Sequence, residues 1–426
     1  MITRRTFLKM SGAATLAAGS VSLPQSFASL VRPVAQKRKV ALITTIYHYR
    51  SHSQHISDRF VVGYPKEGSW HHPNTQIVSS YVDQIGDRDL SAHRSVQFGT
   101  RRYDTIREAL CLGGNKLAVD AVLLIGEHGD YPSNEKGQKL YPRYEFFKQV
   151  VEVFERSGKA VPVFNDKHLS YSTKKCAEMV ADSKRLGFPF LAGSSLPVTH
   201  RLPAIDLPWG CELEEGLVVG VGSSDAMDYH ALEAMQCMME RRKGGETGVK
   251  AVQMIEGDTV WRAMRDRRWD PRLLEAALSR SETHRGLTDR DSRTQDLANN
   301  GELQRLVKNP SAYFIEYADG VRSTLLMLNG AVGDFTFAGR MKDGKRASVL
   351  FYLSPGENVN YSACLASQAE EMFMTGRAPY PVERTQMASS ILDRCLDSRM
   401  QGHERIETAD LNIRYQAPRA SRFCRA

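Results

Sequence analysis

The stretch "KRKVALITTIYHYRSHSQH", Lys37 to His55, determines how the rest of the chain is interpreted. Residues Val40 to Ile43 form a short apolar run, as expected for a buried strand of a parallel sheet. In a dinucleotide-binding domain a glycine-rich turn follows this strand and approaches a pyrophosphate. Here the turn carries Thr, Tyr, His and Arg side chains instead. The stretch therefore predicts the first strand of such an α/β domain, followed by an altered turn.

The N-terminus has the pattern of an export signal. The sequence "MITRRTFLKMSGAATLAAGSVSLPQSFAS" starts with basic residues, continues with an Ala- and Gly-rich stretch, and reaches small residues at Ser26 and Ala28. The apolar stretch is too short to span a bilayer. Residues Thr3 to Lys9 match a twin-arginine signal. We therefore expect a signal peptide over residues 1–28, export by the twin-arginine translocase, and a periplasmic protein without a membrane span.

Composition is typical of a globular protein of two domains. The chain has 426 residues, with 42% hydrophobic and 25% charged residues. Of the net charge of +8, three positive charges lie in the signal, and the chain shows no basic stripe or aromatic platform. This argues against a nucleic-acid partner. The seven cysteines include no Cys-x-x-Cys pair, which predicts isolated buried thiols and neither a disulfide framework nor a structural zinc site.

Strand-like and helix-like patterns alternate from the signal to about residue 200. Helices are indicated by apolar residues at helical spacing, with Ser172 and Gly158 in capping positions. This alternation predicts a parallel sheet covered by helices on both faces. The predicted strands are Val40–Ile46, Gln76–Val82, Ala118–Gly126, Ala160–Asp166 and Phe188–Ser194, and the predicted helices are Tyr103–Leu110, Tyr144–Gly158 and Ser172–Gly187.

The second half predicts an α+β domain with an open, mainly antiparallel sheet. The pair Asp319-Gly320 indicates a hairpin, and the charged segment Arg262 to Asn300 is predicted to be an inserted surface segment. We expect a Rossmann-like domain over 38–200 and a second domain over 201–426, with the insertion over 261–300. The predicted helices are Asp225–Gly245, Ser362–Thr375 and Glu383–Leu396, and the predicted strands are Val249–Gly257, Ser311–Gly320, Val321–Gly330 and Ala347–Leu353.

Four segments resemble the Gfo/Idh/MocA oxidoreductases, and together they extend over most of residues 38–415. The tail from Thr375 to Glu407 is similar to the closing helix and strand of that family. The sequence "VDAVLLIG" is similar to its fourth Rossmann strand, and "VFNDKHLS" occurs where the family has Glu-Lys-Pro. His230 and Glu233 resemble its His-x-x-Asp helix. The resemblance implies a Rossmann domain followed by an α/β domain with an open sheet.

The resemblance also implies a chemistry. The family's lysine stabilises a substrate oxygen near a nicotinamide ring, and Lys167 takes that position. The family's histidine transfers a proton, and His230 occupies the position of that histidine. The family's aspartate, four residues before the histidine, is replaced by Ala226, so Asp225 is the nearest candidate acid on that side. The implied function is an exported oxidoreductase that uses NAD or NADP on a sugar or polyol derivative, in a dimer or tetramer.

Cofactor contacts are expected at the carboxyl ends of the predicted parallel strands, where such folds bind ligands. In this position Asp83 would hold a ribose hydroxyl. The other candidate cofactor-binding residues are Thr44, Thr45, Gly126, Glu127, His128 and Asp166.

A second interpretation keeps the fold without redox chemistry. Histidine with carboxylate is a ligand set for Zn, Mn or Fe. If the sheet is parallel, such side chains converge at one edge, namely His48, Glu127, His128, Asp130, Asp166 and His168. The chain would then be a hydrolase, a lyase or a metal-assisted carbohydrate enzyme. A third interpretation is a carbohydrate-binding protein. The residues favour a polar carbohydrate or nucleotide pocket over a metal site, because no metal-ligand spacing occurs among them.

Overall fold

The structure is a computed structural model that describes residues 37–222, 225–285, 296–354 and 359–425. The predicted signal peptide lies outside these residues. From Lys37 onward the chain forms one compact unit that contains two large sheets. No helix among the described residues is both long and apolar enough to cross a bilayer.

The first sheet confirms the predicted parallel architecture. Within the described residues it has six strands in the order β5-β4-β1-β6-β7-β8, and every pairing is parallel. Residues Val40 to Ile43 are fully buried in β1, which lies between β4 and β6. The direction of strand order reverses between β1 and β6, which is where doubly wound sheets bind ligands. The strands are β1 Arg38–Thr44, β4 Thr75–Val82, β5 Arg101–Tyr103, β6 Ala121–Ile125, β7 Val163–Asp166 and β8 Phe190–Gly193.

Helices cover both faces of this sheet. Successive side chains of β1 point to opposite sides, so its apolar run makes both faces apolar. Ala41 and Ile43 pack with α3, α4 and α5, whereas Val40 and Leu42 pack with α1 and α10. The predicted cap is confirmed at Ser172, whose side chain accepts the Lys175 amide. The helices are α1 His52–Val62, α2 Ser91–Phe98, α3 Ile106–Cys111, α4 Arg143–Ser157, α5 Thr173–Leu186 and α10 Tyr361–Thr375, and the hairpin after α1 has strands β2 Tyr64–Lys66 and β3 Ser69–His71.

The second sheet is mixed and mainly antiparallel, as expected. Its described strands have the order β16-β11-β12-β13-β10-β14-β15-β9, and β10 with β13 is the parallel pair among them. The predicted hairpin joins β12 to β13, with Gly320 at φ +84°. The strands are β9 His200–Leu202, β10 Leu213–Gly220, β11 Val249–Glu256, β12 Ser311–Tyr317, β13 Arg322–Met327, β14 Phe335–Met341, β15 Arg346–Tyr352 and β16 Ile406–Glu407.

One face of the second sheet packs on α6 and α11, and the other packs on α7 and α8. This corrects the predicted surface insertion, because Trp261, Leu273 and Leu274 are buried against the sheet. Each of these helices has a short apolar stripe, and the many charged residues around it obscure this pattern in the sequence. Residues 286–295 of that segment lie outside the described residues. These helices are α6 Asp225–Met239, α7 Asp258–Arg265, α8 Pro271–Leu278, α9 Glu302–Leu306 and α11 Glu383–Met400.

The change from one sheet to the other falls close to residue 200. The first sheet ends with β8 at Gly193, and β9 begins the second sheet at His200. Helix α10 then returns to cover the first sheet, so the C-terminal part of the chain contributes to both cores. The exact domain limits stay a prediction.

Candidate functional site

A cavity of about 350 Å³ lies at the carboxyl ends of β6 and β7, and residues from α1, α6 and β14 also line it. This is the sheet edge at which the sequence predicts a site. Charged and titratable side chains line it together with the apolar Phe335, Leu353 and Leu365. The lining residues used below are His52, His55, Glu127, His128, Lys167 and His230.

Lys167 connects the two predicted catalytic positions. It follows β7 directly, and its side chain is only 4% exposed. Its Nζ atom lies 3.2 Å from Nε2 of His230 and 3.2 Å from Oε1 of Glu127. The structure thus brings Lys167, His230 and Glu127 together in one cavity wall.

Glu127 bridges two buried cations. Arg143, which is fully buried at the start of α4, forms an ion pair with Oε2 of Glu127. Burial opposes ionisation of Glu127, but Lys167 and Arg143 outweigh it and hold its pKa well below the usual range. A Cβ on Gly126 would lie 2.5 Å from Cγ of Arg143, so glycine is required for this close approach. Gly126 therefore has a packing role here.

His230 is a neutral base next to an ammonium group. Burial, followed by the charge of Lys167, lowers its pKa well below the usual range. The Lys167 ammonium therefore donates to Nε2, which leaves the proton of the imidazole on Nδ1. That Nδ1 atom has no hydrogen-bond partner among the described residues. Lys167 can deliver positive charge at this point, and Nε2 of His230 can accept a proton once its hydrogen bond to Lys167 is released.

Three further histidines surround the cavity. Nδ1 of His52, in the first turn of α1, lies 2.7 Å from Oδ2 of Asp166. The His128 ring meets the His52 ring edge-on, with centroids 5.1 Å apart. Burial and the neighbouring His52 lower the pKa values of His55 and His128 to about 4. The His55 and His128 imidazoles are therefore neutral at neutral pH and can hydrogen-bond a polar ligand.

The structure corrects two expected placements. Asp225 is the first residue of α6, but its Oδ2 lies 3.9 Å from Nε2 of His168, and in the described chain it forms no hydrogen bond or ion pair with His230. Burial raises the Asp225 pKa. His48 does not converge with His128; its Nδ1 atom bonds to the Tyr49 carbonyl beside another cavity. The cause is the turn after β1, which directs His52, not His48, into the site.

That turn differs from a glycine-rich phosphate turn in its hydrogen bonding. The Thr44 and Thr45 hydroxyls are fully buried and donate to the carbonyls of Ile125 (2.9 Å) and Glu127 (2.8 Å). Tyr47 is buried and donates to Asp58 on α1 at 2.6 Å. These side chains fix the end of β1 to β6 and α1, and they offer no free hydroxyl to a phosphate.

A second cavity, of about 510 Å³, lies at the ends of β1 and β4, where Rossmann folds hold an adenosine. Tyr47 and Arg88 are among its lining residues. The predicted ribose ligand, Asp83, accepts hydrogen bonds from Tyr81 and Tyr131, each at 2.6 Å. The two cavities thus lie at the carboxyl ends of the parallel strands, and the turn after β1 lacks the glycines of a phosphate-binding turn.

Sequence reasoning missed two supports of the site. Arg143 sits at the start of a predicted helix, and no local pattern shows that it is buried. The sequence marks Glu233 only as a motif residue. In the structure it is fully buried and accepts hydrogen bonds from the Ser194 amide at 2.8 Å and the Ser194 hydroxyl at 2.5 Å. Burial raises its pKa to about 7. This contact ties α6 to the end of β8 and so fixes the helix that carries His230.

Comparison with known proteins supports the fold. No family model matches the sequence, and no curated protein matches it significantly. GenD2 from gentamicin A biosynthesis, solved in complex with NAD, is similar at 13% identity and a TM-score of 0.52, over 92% of this chain and 99% of that one. Apo scyllo-inositol dehydrogenase from Lactobacillus casei is similar at 9% identity and 0.52, over 88% and 99%.

Myo-inositol 2-dehydrogenase from Lactobacillus plantarum is similar at 13% identity and a TM-score of 0.50, over 87% of this chain and 99% of that one. At these identities the likeness shows the fold alone. It confirms the predicted fold class, a Rossmann-like parallel sheet followed by a mainly antiparallel one, which these dehydrogenases share.

Proposed function

We propose that the chain is an exported member of the Gfo/Idh/MocA family that oxidises or reduces a sugar or polyol derivative with bound NAD or NADP. The observation that carries this proposal is the contact between Lys167 and His230 in a cavity at the switch point of a dehydrogenase-like fold. Two inositol dehydrogenases and a protein solved with NAD are similar in fold, which supports the substrate class and the cofactor.

The cofactor would be held at its two ends. Its adenosine would occupy the cavity beside Arg88, and its nicotinamide would lie near His128 and Lys167. The bound nicotinamide would supply or accept the hydride. The His52–Asp166 hydrogen bond and the Glu127 ion pairs hold the polar wall of the cavity in place on that side.

Lys167 acts on the substrate oxygen. Its ammonium group, fixed by Glu127, stabilises the negative charge that develops on that oxygen. In the proposed step an N–H of Lys167 turns from Nε2 of His230 to the substrate oxygen. The freed Nε2 of the neutral imidazole then receives the proton that leaves the substrate hydroxyl, and returns it in the reverse direction. His52, His55 and His128 bind the remaining hydroxyl groups of a carbohydrate.

Export is part of the same proposal. The N-terminal motif supports translocation of a folded protein, which suits a cofactor acquired before export and retained in the periplasm. The translocase would be a transient partner, and a dimer or tetramer through the open sheet is the assembly that the family resemblance supports.

A second candidate function, a lyase or hydrolase on a carbohydrate, is favoured by the turn after β1. There the side chains of Thr44, Thr45 and Tyr47 fill the space that the glycines of a phosphate-binding turn leave open. Neutral His230 could then abstract a proton next to a substrate carbonyl, while Lys167 stabilises the resulting enolate.

A turnover assay separates these functions. Purified periplasmic protein is incubated with a panel of polyols and sugars, with NAD⁺ or NADP⁺, and formation of reduced nicotinamide is followed by absorbance. We expect turnover that falls at least about 100-fold in Lys167→Met, in line with loss of an electrostatic stabiliser. Lys184→Met is the matched control, because Lys184 is exposed on α5, and it should retain full turnover.

Two other outcomes overturn the redox proposal. Sugar conversion that needs no nicotinamide and is lost in Lys167→Met would establish the second candidate. Sugar binding by calorimetry without any conversion would make the chain a carbohydrate-binding protein.

A further inference from the structure

A second cluster of metal-ligating side chains lies outside the candidate site. The ligand atoms of His200 on β9, Cys364 on α10 and Cys424 in the C-terminal tail all lie within 4.8 Å of one another. This corrects the expectation of isolated thiols, because the fold brings together residues from three distant segments. We infer that His200, Cys364 and Cys424 form a binding site for one Zn²⁺ ion, which is separate from the proposed oxidoreductase chemistry.

The separations suit a tetrahedral ion. With Zn–S bonds of about 2.3 Å and a Zn–N bond of about 2.0 Å, ligand atoms on one zinc are about 3.5–3.8 Å apart. The atoms of the cluster reach this spacing if they move together by about 1 Å, which is within the range of side-chain rotation. Two thiolates and one imidazole are a ligand set that zinc prefers, and the fourth position is left for water.

The three groups are also available for a metal. The His200 imidazole makes no hydrogen bond to the described part of the chain, so a ring nitrogen keeps a free lone pair. The Cys364 thiol donates a hydrogen bond to the Cys424 sulfur, so the two sulfur atoms already lie next to each other. A divalent cation at this point would displace both thiol protons and bind two thiolates.

An ion can reach the cluster from solvent. A cavity of about 440 Å³ is lined by all three side chains, and His200 and Cys424 are partly exposed in it. The tail that carries Cys424 is already in place: the Cys424 amide donates to the Val198 carbonyl at 2.8 Å. The buried ring of Phe423, next to it, packs under the Arg201 guanidinium at 4.5 Å. The tail is thus fixed beside the cluster, and only side-chain rotation is needed to bring the ligand atoms onto an ion.

The ion would join the tail to both halves of the fold. Cys364 belongs to the helix that covers the first sheet, and His200 belongs to the edge strand of the second sheet. The same helix lines the candidate active site through Ser362 and Leu365. Zinc would therefore stabilise the folded chain and hold one wall of the active-site cavity in place.

The test is titration of the full-length, reduced, metal-free protein with Zn²⁺ against a chromophoric chelator. We expect one tightly bound equivalent. Binding should weaken at least about 100-fold in Cys364→Ser and Cys424→Ser, and about 10-fold or more in His200→Gln, as for lost zinc ligands. Cys211→Ser is the matched control, because Cys211 is also partly exposed but lies outside the cluster, and it should bind as the unmodified chain does.

A second measurement guards against variants that fold poorly. Co²⁺ in place of Zn²⁺ should give thiolate-to-metal absorption that is lost in Cys424→Ser, while circular dichroism shows an intact fold. Zinc binding that is unchanged in both cysteine variants would overturn the inference, since the ion would then sit elsewhere. So would a Cys364–Cys424 disulfide, found by peptide mass mapping of the natively exported protein.

Discussion

The Nζ atom of Lys167 lies 3.2 Å from Nε2 of His230, although the residues are 63 positions apart in the chain. Lys167 follows the first sheet's strand β7, and His230 lies on helix α6, which packs on the second sheet. The contact therefore depends on the docking of the two sheets. The hydrogen bonds between Glu233 and Ser194 join α6 to the end of β8 next to the site, and so help to fix the two sheets relative to each other.

The ion pair of Arg143 with Glu127 is expected to be a large contributor to the stability of the site. Replacing Arg143 by Met leaves a buried carboxylate with Lys167 as its remaining cation, and we expect a loss of about 3 kcal/mol in the free energy of unfolding. Chemical denaturation measures it. Arg156→Met removes a solvent-exposed ion pair with Glu152 and should cost less than about 0.5 kcal/mol. An equal loss of free energy of unfolding in the two variants would contradict a stabilising ion pair between Arg143 and Glu127.

Gly126→Ala tests the close packing behind the cavity. The added methyl group would lie 2.5 Å from Cγ of Arg143, so either the arginine or β6 must shift, at about 1–3 kcal/mol. Gly86→Ala is the control, because nothing lies within 4 Å of its Cβ position, and we expect a change within about 0.5 kcal/mol. Thermal unfolding of the two variants compares them. If Gly126→Ala is as stable as Gly86→Ala, the packing is looser than described.

Asp228 predicts a pH-dependent stability. Burial raises its pKa to about 7, so the folded chain binds this proton more tightly than the unfolded chain does. Its contribution to stability is lost as the pH rises through 7. Asp228→Asn keeps an acceptor for the Tyr313 hydroxyl but cannot ionise, and at pH 9 it should be more stable than the unmodified chain by about 2 kcal/mol.

Chemical denaturation at pH 5 and pH 9 measures the effect. Asp87→Asn is the control, because Asp87 is exposed. The stability of this variant should depend on pH as that of the unmodified chain does. A difference between Asp228→Asn and the unmodified chain that is the same at both pH values would refute the assignment.

The fold was largely predictable because its strongest signals are local. Apolar runs such as Ala121–Ile125 and the Asp319-Gly320 turn define strands and a hairpin without tertiary information. Strands β10 and β14 were not predicted. Both contain glycines, Gly216 and Gly339, which pack under neighbouring side chains and weaken the strand pattern.

The site was predictable only in part. The positions of Lys167, Glu127 and His128 follow from their place after parallel strands. The roles of Arg143 and His52 depend on how α4 and the turn after β1 fold back over the sheet, and no local spacing encodes this. The approach of Cys424 to Cys364 and His200 depends in the same way on tertiary packing of the tail.

The central claim is that this fold, without a glycine-rich turn, still holds a nicotinamide cofactor. The most direct measurement is mass spectrometry and absorbance of small molecules released from protein that was exported, folded and purified under native conditions. We predict close to one equivalent of NAD or NADP per chain. Protein that releases no nicotinamide, and that binds neither NAD nor NADP by calorimetry, would contradict the claim.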